Sequence, residues 1–301
     1  MSSPVKGLGY NTIKGRSLWQ DAFRRFKKNK LAVVNTYFLL LLTLVSIATL
    51  VIDLATDNQF YEAHVINMNL AYRLHPPSFQ HLFGLDEFGR SIFLRVLWGT
   101  RYSLFMGMLS VAGAALVGGT LGAFAGFYGG RYDNIIMRTM DILMAMPAIL
   151  LAIVIVAALG HGLGNVLLAI AISFVPNFAR VVRAAVMTVR EQEFVEAAQA
   201  VGASDFRIII QHILPNAMAP IIVQTTLGVA SAITFIAALS FLGLGIQPPS
   251  PEWGAMLASA RAHMRDAWHI TVIPGFMIML TILALNIMGD GLRDALDPKL
   301  K

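Results

Sequence analysis

Residues 142–179 read ILMAMPAILLAIVIVAALGHGLGNVLLAIAISFVPNFA, 38 consecutive positions without an Asp, Glu, Lys or Arg. A bilayer-spanning helix needs roughly 20 apolar residues, so the run is too long for one crossing. Gly160-His161-Gly162-Leu163-Gly164-Asn165 divides it with a turn-rich tip, and the two halves read as a helical hairpin. The spans expected are 138–159 and 165–187. Pro147 and Pro176 fall inside them and should kink them, because proline removes one helical hydrogen bond and crowds the preceding turn.

Working outward, 31–52 offers 22 uncharged residues and 102–130 offers 29. The stretch 208–251 is also free of charge, bounded by Pro215 and by Gln247-Pro248-Pro249-Ser250-Pro251, and 267–289 is the last such run. Six helices follow, near 31–52, 102–128, 138–159, 165–187, 216–245 and 270–289. Composition agrees. The 301 residues are 56% hydrophobic and 13% charged, whereas a soluble domain is about 25% charged. So few charges cannot cover a water-exposed surface, which excludes a soluble enzyme and a disordered chain. With no cysteine, disulfides, Cys-ligated zinc and iron–sulfur clusters are excluded too. The fold class expected is an all-α polytopic membrane protein.

Orientation follows from the basic residues. Residues 1–30 hold eight (Lys6, Lys14, Arg16, Arg24, Arg25, Lys27, Lys28, Lys30) against one acid, Asp21. With that tail inside and six crossings threaded, 17 Lys/Arg fall inside and six outside: Arg73, Arg90, Arg95, Arg101, Arg261 and Arg265. Both termini are expected in the cytoplasm. The pI of 9.7 then reflects membrane topology and not nucleic-acid binding, since the cations flank spans instead of interleaving with aromatics. The first apolar run has spanning length and no A-x-A site after it, so it is expected to stay as an anchor. The chain divides into a basic tail (1–30), a first span (31–52), an extracytoplasmic loop (53–100) and a five-helix unit (101–301).

Several chemistries are missing. No G-x-x-x-x-G-K-[ST] occurs, so the chain has no P-loop and is not expected to hydrolyse ATP. H-E-x-x-H and G-x-S-x-G are absent as well. His263 and His269 share one outer loop, where solvated or satisfied histidines are expected and not a metal pair. No ionisable residue falls near the middle of a span, which argues against an intramembrane enzyme and a proton-coupled carrier. Asp141, Arg180, Arg183 and Asp290 lie near cytoplasmic ends, where they can reach the interface.

The longest cytoplasmic connection, 190–215, stands out. Phe194, Ala197, Ala198 and Val201 fall at i, i+3, i+4, i+7, the stripe of an amphipathic helix. Gly202 permits a sharp turn. Ser204 then reads as an N-cap with Asp205 at the positive end of a second helix that runs through Arg207 until Pro215. A solvated loop and a docking segment both fit this pattern.

The segment also resembles the signature of membrane subunits of binding-protein-dependent ABC importers: Glu-Ala-Ala, three residues, Gly, nine residues, Ile, one residue, Leu-Pro. Glu196-Ala197-Ala198, Gly202 and Leu214-Pro215 stand in register, and His212 replaces the Ile. His212-Ile213-Leu214-Pro215-Asn216 is similar to the peptide-transporter branch. Phe83-Gly84-Leu85-Asp86-Glu87-Phe88-Gly89-Arg90 resembles the Gly-Thr-Asp-x-x-Gly-Arg-Asp element of peptide and nickel permeases, departing at Leu85 and Ser91. Ala238 to Gly245, Pro248 to Gly254 and Asn286 to Pro298 are further likenesses. The resemblance covers about residues 20–301 and is strongest to the second membrane subunit of dipeptide importers.

That resemblance implies a type I ABC importer (MetI-like) permease fold in a bacterial cytoplasmic membrane, multi-pass, with a cytoplasmic coupling helix. It implies a homologous permease as heterodimer partner, two ABC ATPases, an extracytoplasmic binding protein and a peptide substrate. ATP and Mg would sit on the ATPases, with no cofactor or metal on this chain and no nucleic acid. The ATPase-coupling residues would be Glu193, Glu196, Ala197, Ala198, Gly202, Ser204, Asp205, Arg207, His212, Leu214 and Pro215, with Pro215 passing motion to the fifth span. Nickel-chelate, glutathione, opine or oligosaccharide cargo is the alternative for the same machine. Gln224, Ser231 and Thr234 lie within about 80° on a helical wheel, and lining a translocation path or packing against a helix both suit them. Glu252, Trp253, Arg261 and Arg265 form a candidate binding-protein contact, although Trp253 and Trp268 would equally serve as interface anchors. Gly118-x-x-x-Gly122-x-x-x-Gly126 is a small-residue ridge for core packing or subunit pairing.

Overall fold

The computed structural model describes residues 18–297. Among these residues the chain is helical, with one isolated bridge between Leu85 and Ser91 and no strand. Lys6, Lys14 and Arg16 of the expected basic tail lie outside the described residues. The described part of that tail is largely a helix, Leu18–Lys28 (α1), which interleaves Phe23 and Phe26 with Arg24, Arg25, Lys27 and Lys28. Asn29 caps the first span, Lys30–Ala55 (α2), by accepting from the Ala32 N–H at 3.1 Å.

The expected outer loop is shorter than 53–100, because both neighbouring helices invade it. Asp53 lies inside α2, buried, where its Oδ1 accepts from Trp98 Nε1 at 3.0 Å and its Oδ2 pairs with Arg101 Nη1 at 2.6 Å. The next helix starts at Ile92, ten residues before the uncharged run. Ile92–Thr100 (α3), a π-type stretch Arg101–Phe105 and Met106–Tyr128 (α4) form one continuous 37-residue helix. Charge therefore marked this boundary wrongly: Arg95 and Arg101 enter the helix because each has an acid partner, Asp86 at 3.4 Å and Asp53 at 2.6 Å.

The expected span 138–159 is corrected more severely. Gly130–Met144 (α5) and Ala148–Leu159 (α6) meet at 84° across Ala145–Pro147. Pro147 therefore breaks the helix outright. The described residues hold five helices long and apolar enough to cross a membrane, or six if this bent pair counts as one. Leu163–Arg190 (α7) continues through a buried Pro176. Met218–Phe241 (α10) begins after the connection 191–217, and His269–Leu296 (α12) closes the fold. Between them Trp253–Ala260 (α11) packs against Ile92 and Val96 of α3.

The α4–α7 contact is the centre of the bundle. A Cβ on Gly118 would stand 2.5 Å from the Val175 carbonyl oxygen and one on Gly126 2.7 Å from that of Arg183, while one on Gly122 would overlap the Ala179 carbonyl. The glycine ridge is thus consumed by packing inside this chain. Val111, Ala114, Ile170, Phe178, Ile233 and Ile236 fill the core around it. At one end of the bundle α1 and the last turn of α12 meet, with Arg25 Nη1 donating to the Asp297 carbonyl at 3.1 Å.

Candidate functional site

The connection after α7 folds as Glu193–Ala200 (α8), a tight turn, and Asp205–Arg207 (α9) continued by a π-type stretch Ile208–Ile213. Glu193 and Glu196 stand in the first turn of α8, where the positive helix end favours them. The helix stops in a Schellman motif: Gly202 N donates to the Gln199 carbonyl at 2.9 Å, and Ala203 N reaches back to that of Ala198 at 3.1 Å. Gly202 has φ +81°, and a Cβ there would meet nothing within 4 Å. Its requirement is backbone conformation and not space within this chain. Ser204 takes the N-cap position of α9, but its side chain accepts no capping bond.

A second apolar cluster welds this segment to the bundle. Val195, Ala198, Ile208 and Ile213 pack with Ala123 and Phe127 of α4 and with Val182 and Val186 of α7. The expected stripe is therefore rotated. Ala198 is inside, but Phe194 and Val201 point outward together with Phe206 and Ile210; Val201 is 85% and Phe206 76% exposed. The side of α8 held by its own chain is the Val195–Ala198 side, and the other apolar side is left open. Glu196 borders a cleft of about 340 Å³ with Gly126, Met187, Arg190, Glu191 and Gln199. Pro215 lies exposed in a turn before α10 and not at a helix start. Asn216 Nδ2 bridges that turn to the His212 carbonyl at 2.7 Å, and Leu214 N donates to the Ile209 carbonyl at 2.8 Å.

Helix α10 buries Val229, Ile233 and Ile236 but leaves one face open along its length. Ser231 and Thr234 are exposed on it, and Gln224 is half-buried. Their hydroxyls donate back to the Leu227 and Ala230 carbonyls at 3.2 and 3.0 Å. At the C-terminal end of α10 Phe241 continues the face, with the Arg261 guanidinium 5.8 Å from its ring centroid.

The outer ledge differs from expectation. Glu252 and Trp253 are 1% and 0% exposed, so neither presents a surface. Glu252 caps α11 by accepting from Gly254 N and Ala255 N at 2.8 and 2.7 Å, and takes the Ser103 hydroxyl at 3.1 Å. Trp253 Nε1 donates to the Val96 carbonyl at 3.0 Å. The proline-rich run folds Trp253 into the α3–α11 packing instead of displaying it. Arg261, Arg265 and Trp268 are exposed. His269 is buried against the Leu85 carbonyl at 3.3 Å. Sequence reasoning missed the Asp86 hub: its carboxylate accepts from the backbone of Phe88 and Arg90, each at 2.9 Å, and pairs with Arg90 Nε at 2.7 Å. Gly84 and Gly89, both at positive φ, shape that turn. The motif Gly84-x-Asp86-x-x-Gly89-Arg90 was visible; its role as a structural knot was not.

The bundle, with the segment after α7 welded to α4 and α7, has the fold of a type I ABC importer permease. Residues 118–301 match the family described as binding-protein-dependent transport system inner membrane component, and the chain belongs to that family. Residues 17–77 match the N-terminal transmembrane domain of oligopeptide transport permease C. The dipeptide transport system permease protein DppC of Alkalihalophilus pseudofirmus is 50% identical over 95% of this chain and 91% of its own. The glutathione transport system permease protein GsiD of Escherichia coli is 46% identical over 95% of this chain and 92% of its own. A chain of the inward-facing MetNI methionine ABC transporter shares the fold, with a TM-score of 0.56 at 18% identity, over 68% of this chain and 98% of that one.

Proposed function

We propose that this chain carries di- and oligopeptides across a bacterial cytoplasmic membrane as one half of a permease pair. Both termini and segment 190–215 face the cytoplasm. The other half is a homologous permease, two ATPases bind and hydrolyse Mg-ATP, and an extracytoplasmic binding protein delivers the peptide. The observation that carries this reading is the coupling segment. Its inner side is welded to α4 and α7, while Phe194, Val201, Phe206 and Ile210 stay exposed beside the carboxylates of Glu193 and Glu196. An apolar patch rimmed by charge is the form of a protein-docking surface. A clamp closing on that patch would displace α4 and α7 through the shared core, with Ala197, Arg207 and His212 around the contact and Leu214 and Pro215 leading the motion into α10. Gln224, Ser231 and Thr234 then line the path, since a polar stripe on an apolar helix faces water or protein and not lipid. Arg261 and Arg265 are the groups of the outer loop that remain available to the binding protein.

The high identity to a glutathione permease favours one second reading, in which the same machine takes glutathione, itself a modified peptide. The test is reconstitution with the cognate ATPases and binding protein in proteoliposomes. Uptake of labelled dipeptide, dependent on ATP and abolished by Glu196→Lys, is expected. Uptake that ignores Glu196→Lys and Gly202→Val together would overturn the coupling assignment.

A further inference from the structure

Two ion pairs on one short helix have no part in the account above. Arg183 closes on the Asp133 carboxylate through both Nε and Nη2, and Arg180 Nη2 donates to Asp141 Oδ1 at 2.9 Å. The acids are eight residues apart on α5, about 12 Å of helix, whereas the arginines are three apart on α7, about 4.5 Å. Helix α5 therefore crosses α7 instead of running alongside it, and is pinned at two points.

What lies beyond each end matters. Before α5, Gly129 and Gly130 both have positive φ and hang the helix from the last turn of α4, where the rings of Phe124 and Tyr128 meet that of Tyr132 of α5 edge-on. After α5, the chain turns 84° at Ala145–Pro147 into α6. Helix α6 is only 12 residues long and buries only Ala152 and Val156, a single stripe. In the other direction, α7 runs from the pinned arginines to Arg190, and the coupling segment starts three residues later at Glu193. The pairs line a cleft of about 680 Å³ with Asn134, Met137 and Arg138. Side chains of the Arg180–Asp141 pair are 51% and 54% exposed. The cleft is therefore lined by charges that are only half covered within this chain.

We propose that Asp133 and Asp141 are positioning residues that make α5 a crossbar, so that displacement of the coupling segment carries α5, and the α6 that packs with α7 in one core, as a single body. The two-point Arg183–Asp133 pair resists rotation as well as separation. The single-point Arg180–Asp141 pair holds the far end beside the 145–147 break. This rests on the coupling reading above, and it says which part of the chain beyond α10 the ATPases move.

A crossbar moves with α7, whereas a gate would have to part from it. The chain contains no cysteine, so Asp141→Cys with Arg180→Cys can be bridged by a short bifunctional thiol reagent in the assembled, reconstituted transporter. Bridging is expected to restore at least half of the parent uptake, after the unbridged double variant has lost five-fold or more while still hydrolysing ATP. Loss of uptake on bridging, regained when a cleavable bridge is reduced, would show a gate and overturn the crossbar. Should that variant fail to assemble, Asp141→Asn and the exchange Asp141→Arg with Arg180→Asp decide the matter. Rescue by the exchange supports the crossbar, and parent-like uptake by Asp141→Asn sinks it. Gly202→Val, run in parallel, separates the outcomes: if it too leaves uptake intact, the coupling reading itself has failed.

Discussion

Gly122 lies so close to the Ala179 carbonyl that a Cβ would overlap it. The obstacle is backbone, which cannot step aside as a flexible side chain does. Gly122→Leu is expected to destabilise the bundle by at least the 1–3 kcal/mol typical of overpacking. It would show as lost protein in a detergent thermal-stability assay. Gly164→Ala serves as the control: nothing lies within 4 Å of its Cβ position, and its melting point should stay within error of the parent. Equal behaviour of the two would show that α4 and α7 do not meet as described.

Gly202 poses the opposite case. Its φ is +81° and its surroundings are open. Gly202→Val costs about 1–2 kcal/mol of local strain and nothing in packing. The protein should reach the membrane in normal amount, while uptake falls at least ten-fold because the α8–α9 turn no longer presents its apolar patch. Quantitative immunoblotting beside transport measures both. A fall in protein matching the fall in uptake would assign Gly202 to folding instead.

Glu252 and Arg261 separate stability from contact. Glu252→Ala strips acceptors from Gly254 N, Ala255 N and the Ser103 hydroxyl in a buried site, a loss of about 1–3 kcal/mol. The melting temperature should drop. Arg261→Glu with Arg265→Glu removes exposed cations, so the melting temperature should hold. Affinity for the loaded binding protein, read by surface-immobilised titration, should fall several-fold. Unchanged affinity would move the docking site elsewhere.

Asp53 stands between α2 and the rest. Asp53→Ala leaves the Arg101 guanidinium and Trp98 Nε1 without their acceptor, and breaking one side of a buried pair costs about 3–5 kcal/mol. Asp53→Ala with Arg101→Met should recover part of that loss, because no unpaired charge remains. If the double variant is as unstable as the single one, the pair is not what holds α2 in place.

Much of this molecule can be read from the positions of its few charges. The uncharged runs located the long apolar helices, because lipid tolerates no unpaired ion. They failed where ions are paired. Asp53, Arg95 and Arg101 sit inside helices because each has a partner, and a one-dimensional reading cannot see that Asp53 meets Arg101 far along the chain. Pro147 was recognised as a disturbance but not as an 84° break, since the size of a bend depends on what the far side packs against. In the coupling segment the turn at Gly202 was legible from the residue type. Which apolar side of α8 faced outward was not, because Phe194 and Val195 are equally hydrophobic and only Phe127, Val182 and Val186 decide between them. Trp253 misled for a related reason: proline-rich surroundings suggested display, whereas the packed α3 claimed the ring.

The shortness of α6 reaches beyond transport. Its 12 residues rise about 18 Å, well below the roughly 30 Å hydrocarbon core, and the charged cleft of α5 lies just before α6 begins. A helix of that length cannot cross alone, so α6 depends on local thinning of the bilayer or on the elements packed beside it, and an assembly that covers it removes a mismatch the single chain carries.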